Sequence, residues 1–229
     1  MKRILAVTLL LVLFYSGKSQ DFIPQKPDYD LISREIKDST SNFYYPKLMS
    51  RLVAYDTTLN VEDYRRLYYG YIFDKDYQPY RKFSDEKKLT ELFNGDNFSE
   101  KDYDEVIKLA TSSINEFPFD LRSMNIMAFV YHLKGDEEMA KKISYRLHGT
   151  FGAILTTGDG KSCETGFHVI SVSHEYVFLN MFQLSITEQN LTGNCDYLVL
   201  EKGQSSIDGI YFNIEKMLAR NLELLKGKE

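Results

Sequence analysis

SEKDYDEVIKLATSSINEFPFDLRSMNIMAFVYHLKGDEEMAKKI, residues 99–143, is the stretch whose periodicity decides the architecture. Ser99 stands as an N-cap ahead of Tyr103, Val106, Ile107, Ala110 and Ile114, apolar positions three and four apart, and the run stops before Pro118. Asp120 caps a second run through Met124, Met127, Ala128 and Tyr131, which Gly135 ends. Asp136 caps a third through Met139, Ala140 and Ile143. Three consecutive helices are therefore predicted.

Ala128, Tyr131, Gly135 and Ala140, preceded by Pro118, have the spacing of one tetratricopeptide-like hairpin, in which small residues let two helices approach and the tyrosine fills the groove between them. Ser144 stands where that pattern carries a large aromatic, and Gly152 where it carries proline. One such repeat cannot bury its own faces, so the pair must pack on other elements. Towards the N-terminus the same reasoning predicts helices over 29–39 (Ile32, Ile36), over 46–55 (Leu48, Met49, Leu52, Val53) and after Asn60 (Tyr64, Leu67, Tyr68, Tyr71), and a fourth from a Ser84 cap to Gly95. More than half of the 17 tyrosines fall between Tyr44 and Tyr80, and the stretch from Tyr64 to Tyr80 reads either as a sugar or peptide platform or, the favoured reading, as helix packing with hydroxyls reaching solvent.

From Gly149 onward glycines cluster and the period shifts toward two, so the helical part is expected to end near residue 150. Thr157-Gly158-Asp159-Gly160 signals a turn. Segments 167–172, 176–182, 197–200 and 210–214 read as strands, and 217–225 as a closing helix. The predicted fold is α+β: a helical region over 20–150 with the tetratricopeptide-like pair, then a small antiparallel sheet and terminal helix over 151–229, packed as one unit.

Residues 1–19 read as an export signal: Lys2 and Arg3, an apolar run from Ile4 to Tyr15 broken only by Thr8, and small residues before a cut at Ser19–Gln20. The run falls short of the roughly 20 apolar residues that span a membrane, and no cysteine near the cut offers a lipid anchor. The mature chain is expected outside the cytoplasm, in the periplasm or beyond, without a membrane anchor. Losing Lys2, Arg3 and Lys18 from 28 basic residues, against an unchanged 33 acidic ones, makes the mature chain more acidic than the −5 of the whole. That balance disfavours nucleic acid and anionic membranes as partners.

Several motifs share one likeness. Asp63-Tyr64-Arg65-Arg66-Leu67-Tyr68-Tyr69-Gly70, Gly158-Asp159-Gly160, Cys163-Glu164-Thr165, the run 171–176, Cys195-Asp196-Tyr197 and Ile210-Tyr211-Phe212-Asn213 resemble an exported Bacteroidetes family known as domain of unknown function 4919. The likeness covers roughly residues 44–217. It implies an extracytoplasmic bacterial protein without assigned activity, and carries no catalytic residues.

Gly160-Lys161-Ser162 does not make a phosphate loop, because Leu155 stands where the motif has its first glycine. His168 and His174 sit six residues apart; on one continuous strand that is about 20 Å, too far to share a metal, so neither metal nor cofactor is expected. Cys163 and Cys195, an even pair in an exported chain, are expected to form a disulfide, with two free thiols as the alternative. No catalytic set emerges. Asp159, Lys161, Glu164, His168 and His174 are the candidate ligand-contacting residues. Two functions compete: a non-catalytic module that binds a protein or glycan, and a hydrolase whose site lies near the Gly158–Glu164 turn. N-terminal sequencing of protein from its native host is expected to return Gln20 first; Met1 on cytoplasmic protein would overturn the export reading.

Overall fold

The computed structural model describes residues 23–227, so the export signal and its cleavage point lie outside the described residues. Seven helices come first: α1 (Tyr29–Lys37), α2 (Tyr45–Val53), α3 (Val61–Gly70), α4 (Glu86–Asn94), α5 (Tyr103–Glu116), α6 (Leu121–Leu133) and α7 (Glu137–Leu155). Strand β1 (Phe167–His168), helix α8 (Val172–Met181), strands β2 (Ile186–Thr192), β3 (Cys195–Leu200) and β4 (Gly209–Asn213), and helix α9 (Glu215–Lys226) follow. This is the expected α+β order.

Helix α3 is the axis of the helical part. The Asn60 side chain accepts from the amides of Glu62 and Asp63 at 2.9 and 3.1 Å, and Asp63 accepts from the Asn60 amide at 3.0 Å, a reciprocal capping box. A surface helix buries one stripe; α3 instead buries Tyr64, Leu67, Tyr68 and Tyr69 together, with α1, α2 and α7 packed around it. The hydroxyls of its neighbourhood are spent on backbone carbonyls: Tyr69 donates to His168, Tyr77 to Ile170 and Tyr45 to Leu67, at 2.9–3.0 Å. The Tyr64–Tyr80 segment is therefore core, with Tyr80 the exception at 46 % exposure; the hydroxyls of Tyr68, Tyr69 and Tyr77 turn inward to buried acceptors rather than out to solvent, the reverse of what was expected of them.

The α5–α6–α7 run follows the predicted caps, Asp120 accepting from the Ser123 amide and Asp136 from the Met139 amide. Gly135 supplies the positive φ of 78° that ends α6. Residues from Gly149 on were expected to leave the helical regime, yet α7 continues to Leu155. The cause is tertiary. A Cβ at Gly149 would stand 2.2 Å from the Tyr64 ring, so glycine is what lets α3 and α7 touch. Its local helix penalty is offset by that contact.

The strand expected over 176–182 is instead the second half of α8, whose His174, Val177 and Phe178 recur at helical spacing and are buried. Its β-branched and aromatic residues suit a pleated surface, but that preference yields to burial on a helical period. Of the strand expected over 167–172, only Phe167 and His168 are strand. Strand β2, rich in polar residues and exposed along its length, had no sequence signal; it is an edge held by pairing with β3. The sheet order is β1-β4-β3-β2. The β2–β3 and β3–β4 pairs are antiparallel as expected, whereas β1 joins β4 in parallel, so the sheet is mixed. One cluster of buried side chains runs from Ile32 in α1 to Met217 in α9.

Gly149→Ala is expected to cost about 1–3 kcal/mol through overpacking on Tyr64, although alanine is the better helix former. Gly152→Ala, with nothing within 4 Å of the new Cβ, should stabilise by up to about 1 kcal/mol. Urea unfolding of the two variants measures the contrast; equal effects would remove the close-approach explanation.

Candidate functional site

The loop after α7 carries three of the candidate residues. Asp159 and Gly160 both donate their amides to the Thr165 carbonyl at 2.9 Å, and the Tyr211 amide donates to the Gly160 carbonyl at 2.9 Å. Gly158 is indispensable to this turn, since a Cβ there would fall 2.2 Å from the Thr165 carbonyl oxygen. The Cys163–Cys195 disulfide, with Cα atoms 5.7 Å apart, ties the loop to the start of β3, as expected. Asp159 is engaged: hydrogen bonds from the Thr165 hydroxyl and the Lys161 amide, opposed by slight burial, hold its carboxyl below the usual range, and its other oxygen faces the Lys161 ammonium at 3.5 Å. Lys161 and Glu164 are exposed. The structure thus brings Asp159, Lys161 and Glu164 onto one charged loop.

The two histidines go elsewhere. His168, on β1, is buried; its Nδ1 meets no partner among the described residues, and burial, reinforced by Lys26, Arg65 and Lys216, lowers its pKa to about 4. His174, on α8, is deep in the core. Its Nε2 bonds the Phe119 carbonyl at 2.9 Å and its Nδ1 the Tyr68 hydroxyl at 2.6 Å. A carbonyl only accepts, so Nε2 carries the proton and Nδ1 accepts from Tyr68. The Tyr68 oxygen in turn accepts from the Ile170 amide at 3.2 Å. Burial lowers the His174 pKa to about 4 and keeps it neutral. Neither histidine hydrogen-bonds to Asp159, Lys161 or Glu164. Among the described residues no group of three or more His, Cys, Asp or Glu is placed to hold a metal ion.

A second cluster escaped the sequence reading. Glu175, beside His174 on α8, is fully buried, and neither of its oxygens meets a donor. Its neighbour is Asp196 on β3, within hydrogen-bonding reach. Two ionised carboxylates only accept; with one proton, Glu175 becomes the donor and Asp196 the acceptor. Burial, then the charge of Asp196, pushes Glu175 up to about 9, so the pair holds a proton at neutral pH. Asp196 is also raised, by burial, with hydrogen bonds from Gln189 and Glu175 opposing. A polar path leads outward: Gln189 Nε2 donates to Asp196 Oδ2 at 2.9 Å, and Tyr176 Oη donates to Gln189 Oε1 at 2.7 Å. The only sequence hint was a carboxylate in an otherwise apolar stretch of α8.

Tyr176 also lines a cleft of about 350 Å³, where the Pro79–Phe83 segment, α4, the end of α5 and the starts of α6 and α8 meet. Leu89, Phe117, Val172 and Val177 give it apolar walls, and Tyr80, Phe83 and Tyr176 its aromatic ones. Its charged groups are mostly committed: Arg122 pairs with Glu86 at 2.9 Å, Arg81 donates to the Glu116 and Asp76 carbonyls, and Asp120 accepts from Ser113 and Ser123. Asp159, Lys161, Glu164, His168 and His174 do not line it. Such a volume, mostly apolar with a few polar groups, suits a small ligand or a short chain segment.

The family described as Domain of unknown function (DUF4919) matches residues 30–223. The chain belongs to this family. The match spans α3, the disulfide-clipped loop, the acid pair and every wall of the cleft. No curated protein and no solved structure matches the chain. Among the described residues no helix is long and apolar enough to cross a membrane.

These titrations oppose one another. Glu175, raised in the folded state, contributes stability that is full below about 4.5 and lost as pH rises through about 9. His168 and His174, depressed, contribute stability present above 6.5 and lost as pH falls through about 4. Together they place the stability maximum near pH 6.5. Glu175→Gln donates to Asp196 without needing a proton; at 1.36 kcal/mol per pH unit it should gain about 3 kcal/mol at pH 7 and flatten the decline from pH 7 to 9. Urea unfolding of both proteins from pH 4 to 9 checks this, and parallel profiles above pH 7 would refute the shared proton.

Proposed function

We propose that this protein is an exported, non-catalytic binding module of the bacterial periplasm or cell surface, and that the cleft beside α8 takes a segment of a protein or glycan partner. The export pattern of residues 1–19 and the disulfide, a bond that persists in oxidising compartments, support the address. The observation that carries the binding reading is the cleft itself, of about 350 Å³ and open at the exposed rings of Tyr80 and Tyr176. Tyrosine at such a rim offers an apolar face and a polar tip, which fits both a sugar ring and a peptide side chain.

The hydrolase alternative asks for a base and a nucleophile in mutual reach. On the Gly158–Glu164 loop the carboxylate of Asp159 is occupied by Thr165 and Lys161, and His174 is occupied by Tyr68 and Phe119. The binding reading therefore has the better support.

The chain contains no tryptophan, so Phe83→Trp places a single indole at the cleft. Its emission is expected to respond to at least one member of a panel of short peptides and oligosaccharides. Ser173→Arg, from an exposed first-turn position of α8, should weaken that ligand at least tenfold with the circular dichroism unchanged. Silence across the panel, or binding indifferent to Ser173→Arg, would remove the cleft from consideration.

A further inference from the structure

We propose that the outer edge of β2 is a self-association surface, on which a second copy of this chain adds its own β2 antiparallel, so that two four-stranded sheets become one. The inference is independent of the cleft and rests on the sheet alone.

The pairing inside the sheet decides which backbone groups are left over. The Leu200 amide donates to the Asp208 carbonyl on the β4 side. Along an antiparallel strand the backbone groups of successive residues alternate between the two neighbours. Asp196, Leu198 and Leu200 therefore turn theirs to β4, and Cys195, Tyr197 and Val199 turn theirs to β2. Opposite the latter stand Thr192, Asn190 and Glu188, whose amides and carbonyls are spent on β3. The amides and carbonyls of Gln189 and Leu191 point away from the sheet, and nothing among the described residues bonds to them. Strand β2 is exposed from Thr187 to Thr192, so this row lies open to a partner.

Natural sheets guard such edges with proline, lysine or a covering element. Strand β2 has no proline, no lysine and no cover, and its irregularity between Ile186 and Glu188 breaks only its start. The opposite edge of the sheet is closed. There the His168 amide donates to Thr157 Oγ1 at 2.9 Å, and the His168 carbonyl accepts from Tyr69 at 3.0 Å. With a single open edge, pairing of like with like ends at a two-fold dimer and does not grow into a fibre.

Self-complementarity selects a second copy as the occupant. With Asn190 facing Asn190 of the second copy across the two-fold axis, Gln189 faces Leu191 and Glu188 faces Thr192. Each Gln189–Leu191 pair exchanges two backbone hydrogen bonds, so the outward amides and carbonyls of both chains are all used. Glu188 is the only charged residue of β2 and meets a threonine, which avoids the destabilising opposition of like charges. Leu191, 63 % exposed, lies against Gln189 of the second copy, a side chain that Asp196 and Tyr176 already hold.

A contact of this size belongs with weak, transient interfaces, so sedimentation equilibrium from about 10 μM to about 1 mM should show the mean mass climbing from monomer toward dimer. Leu191→Pro keeps the ladder to β3, in which the Leu191 amide takes no part, and Leu191→Lys keeps the whole backbone. Each should weaken the dimer at least about tenfold with unchanged circular dichroism. Asn190→Cys sets two thiols face to face, with Cα atoms about 4.5 Å apart in a pair without hydrogen bonds. Mild oxidation should then give a covalent dimer whose Cys163–Cys195 bridge is intact by mass spectrometry. Glu188→Cys stands about 13 Å along the strand from its own copy and should not cross-link.

Protein that stays monomeric throughout that range, association that both Leu191 variants leave unchanged, or cross-linking at Glu188 equal to that at Asn190 would each overturn the proposal. If a short peptide protects the Gln189 and Leu191 amides of a monomer from hydrogen exchange, the edge takes a peptide instead and the proposal falls.

Discussion

One buried line of hydrogen bonds orients the contact between the two halves of this molecule, beside those of Tyr69 and Tyr77: the Ile170 amide to the Tyr68 hydroxyl, that hydroxyl to His174 Nδ1, and His174 Nε2 to the Phe119 carbonyl. It joins the central helix α3, the segment leaving β1, the helix α8 and the turn entering α6. Every donor in it has an acceptor, which is the condition for placing polar groups in a core; leaving one orphaned costs about 1–3 kcal/mol. The direction of the line requires a neutral imidazole, and full burial supplies it. Phe117 stacks on the His174 ring, while Tyr69 and Phe119 pack edge-on to Tyr68, so apolar contact fixes the same rings that the hydrogen bonds orient.

One residue further along α8, the same helix presents the opposite condition. Glu175 is as buried as His174, but its surroundings offer no donor. The difference follows from the helical turn of about 100° per residue: His174 points to α3 and the α5–α6 turn, whereas Glu175 points to β3. A core residue without a partner lowers stability, and natural chains keep such groups mainly where they serve a site. Hydrogen bonds run outward from Asp196 through Gln189 to Tyr176, whose ring lines the cleft.

The helices were legible because their signals are local. Asn60, Asp120 and Asp136 cap where the sequence places them, and Gly135 ends α6 with the positive φ that glycine tolerates. The disulfide was legible from an even cysteine count together with the export reading of residues 1–19. The acid pair was not, since Glu175 and Asp196 are distant in sequence and neither is unusual alone. Nor was the cleft, whose walls come from the Pro79–Phe83 segment and four helices.

By itself the sequence determined the α+β class, the order of the first seven helices, the caps at Asn60, Asp120 and Asp136, and the Cys163–Cys195 bridge. Each rests on periodicity, on a backbone group within one turn, or on a count. The cap expected at Ser84 is not made, since Asp85 precedes α4 without a side-chain hydrogen bond. Tertiary structure alone decided that α7 runs on through Gly149, that Val172–Met181 is helix rather than strand, and that β1 joins the sheet in parallel. In these places local preference was outweighed by what lies across the core: the Tyr64 ring that needs a missing Cβ, the buried face that only a helical period aligns, and the partner strand β4 that arrives some 40 residues later. Local propensities differ by about 1 kcal/mol per residue, and the burial of one large side chain exceeds that.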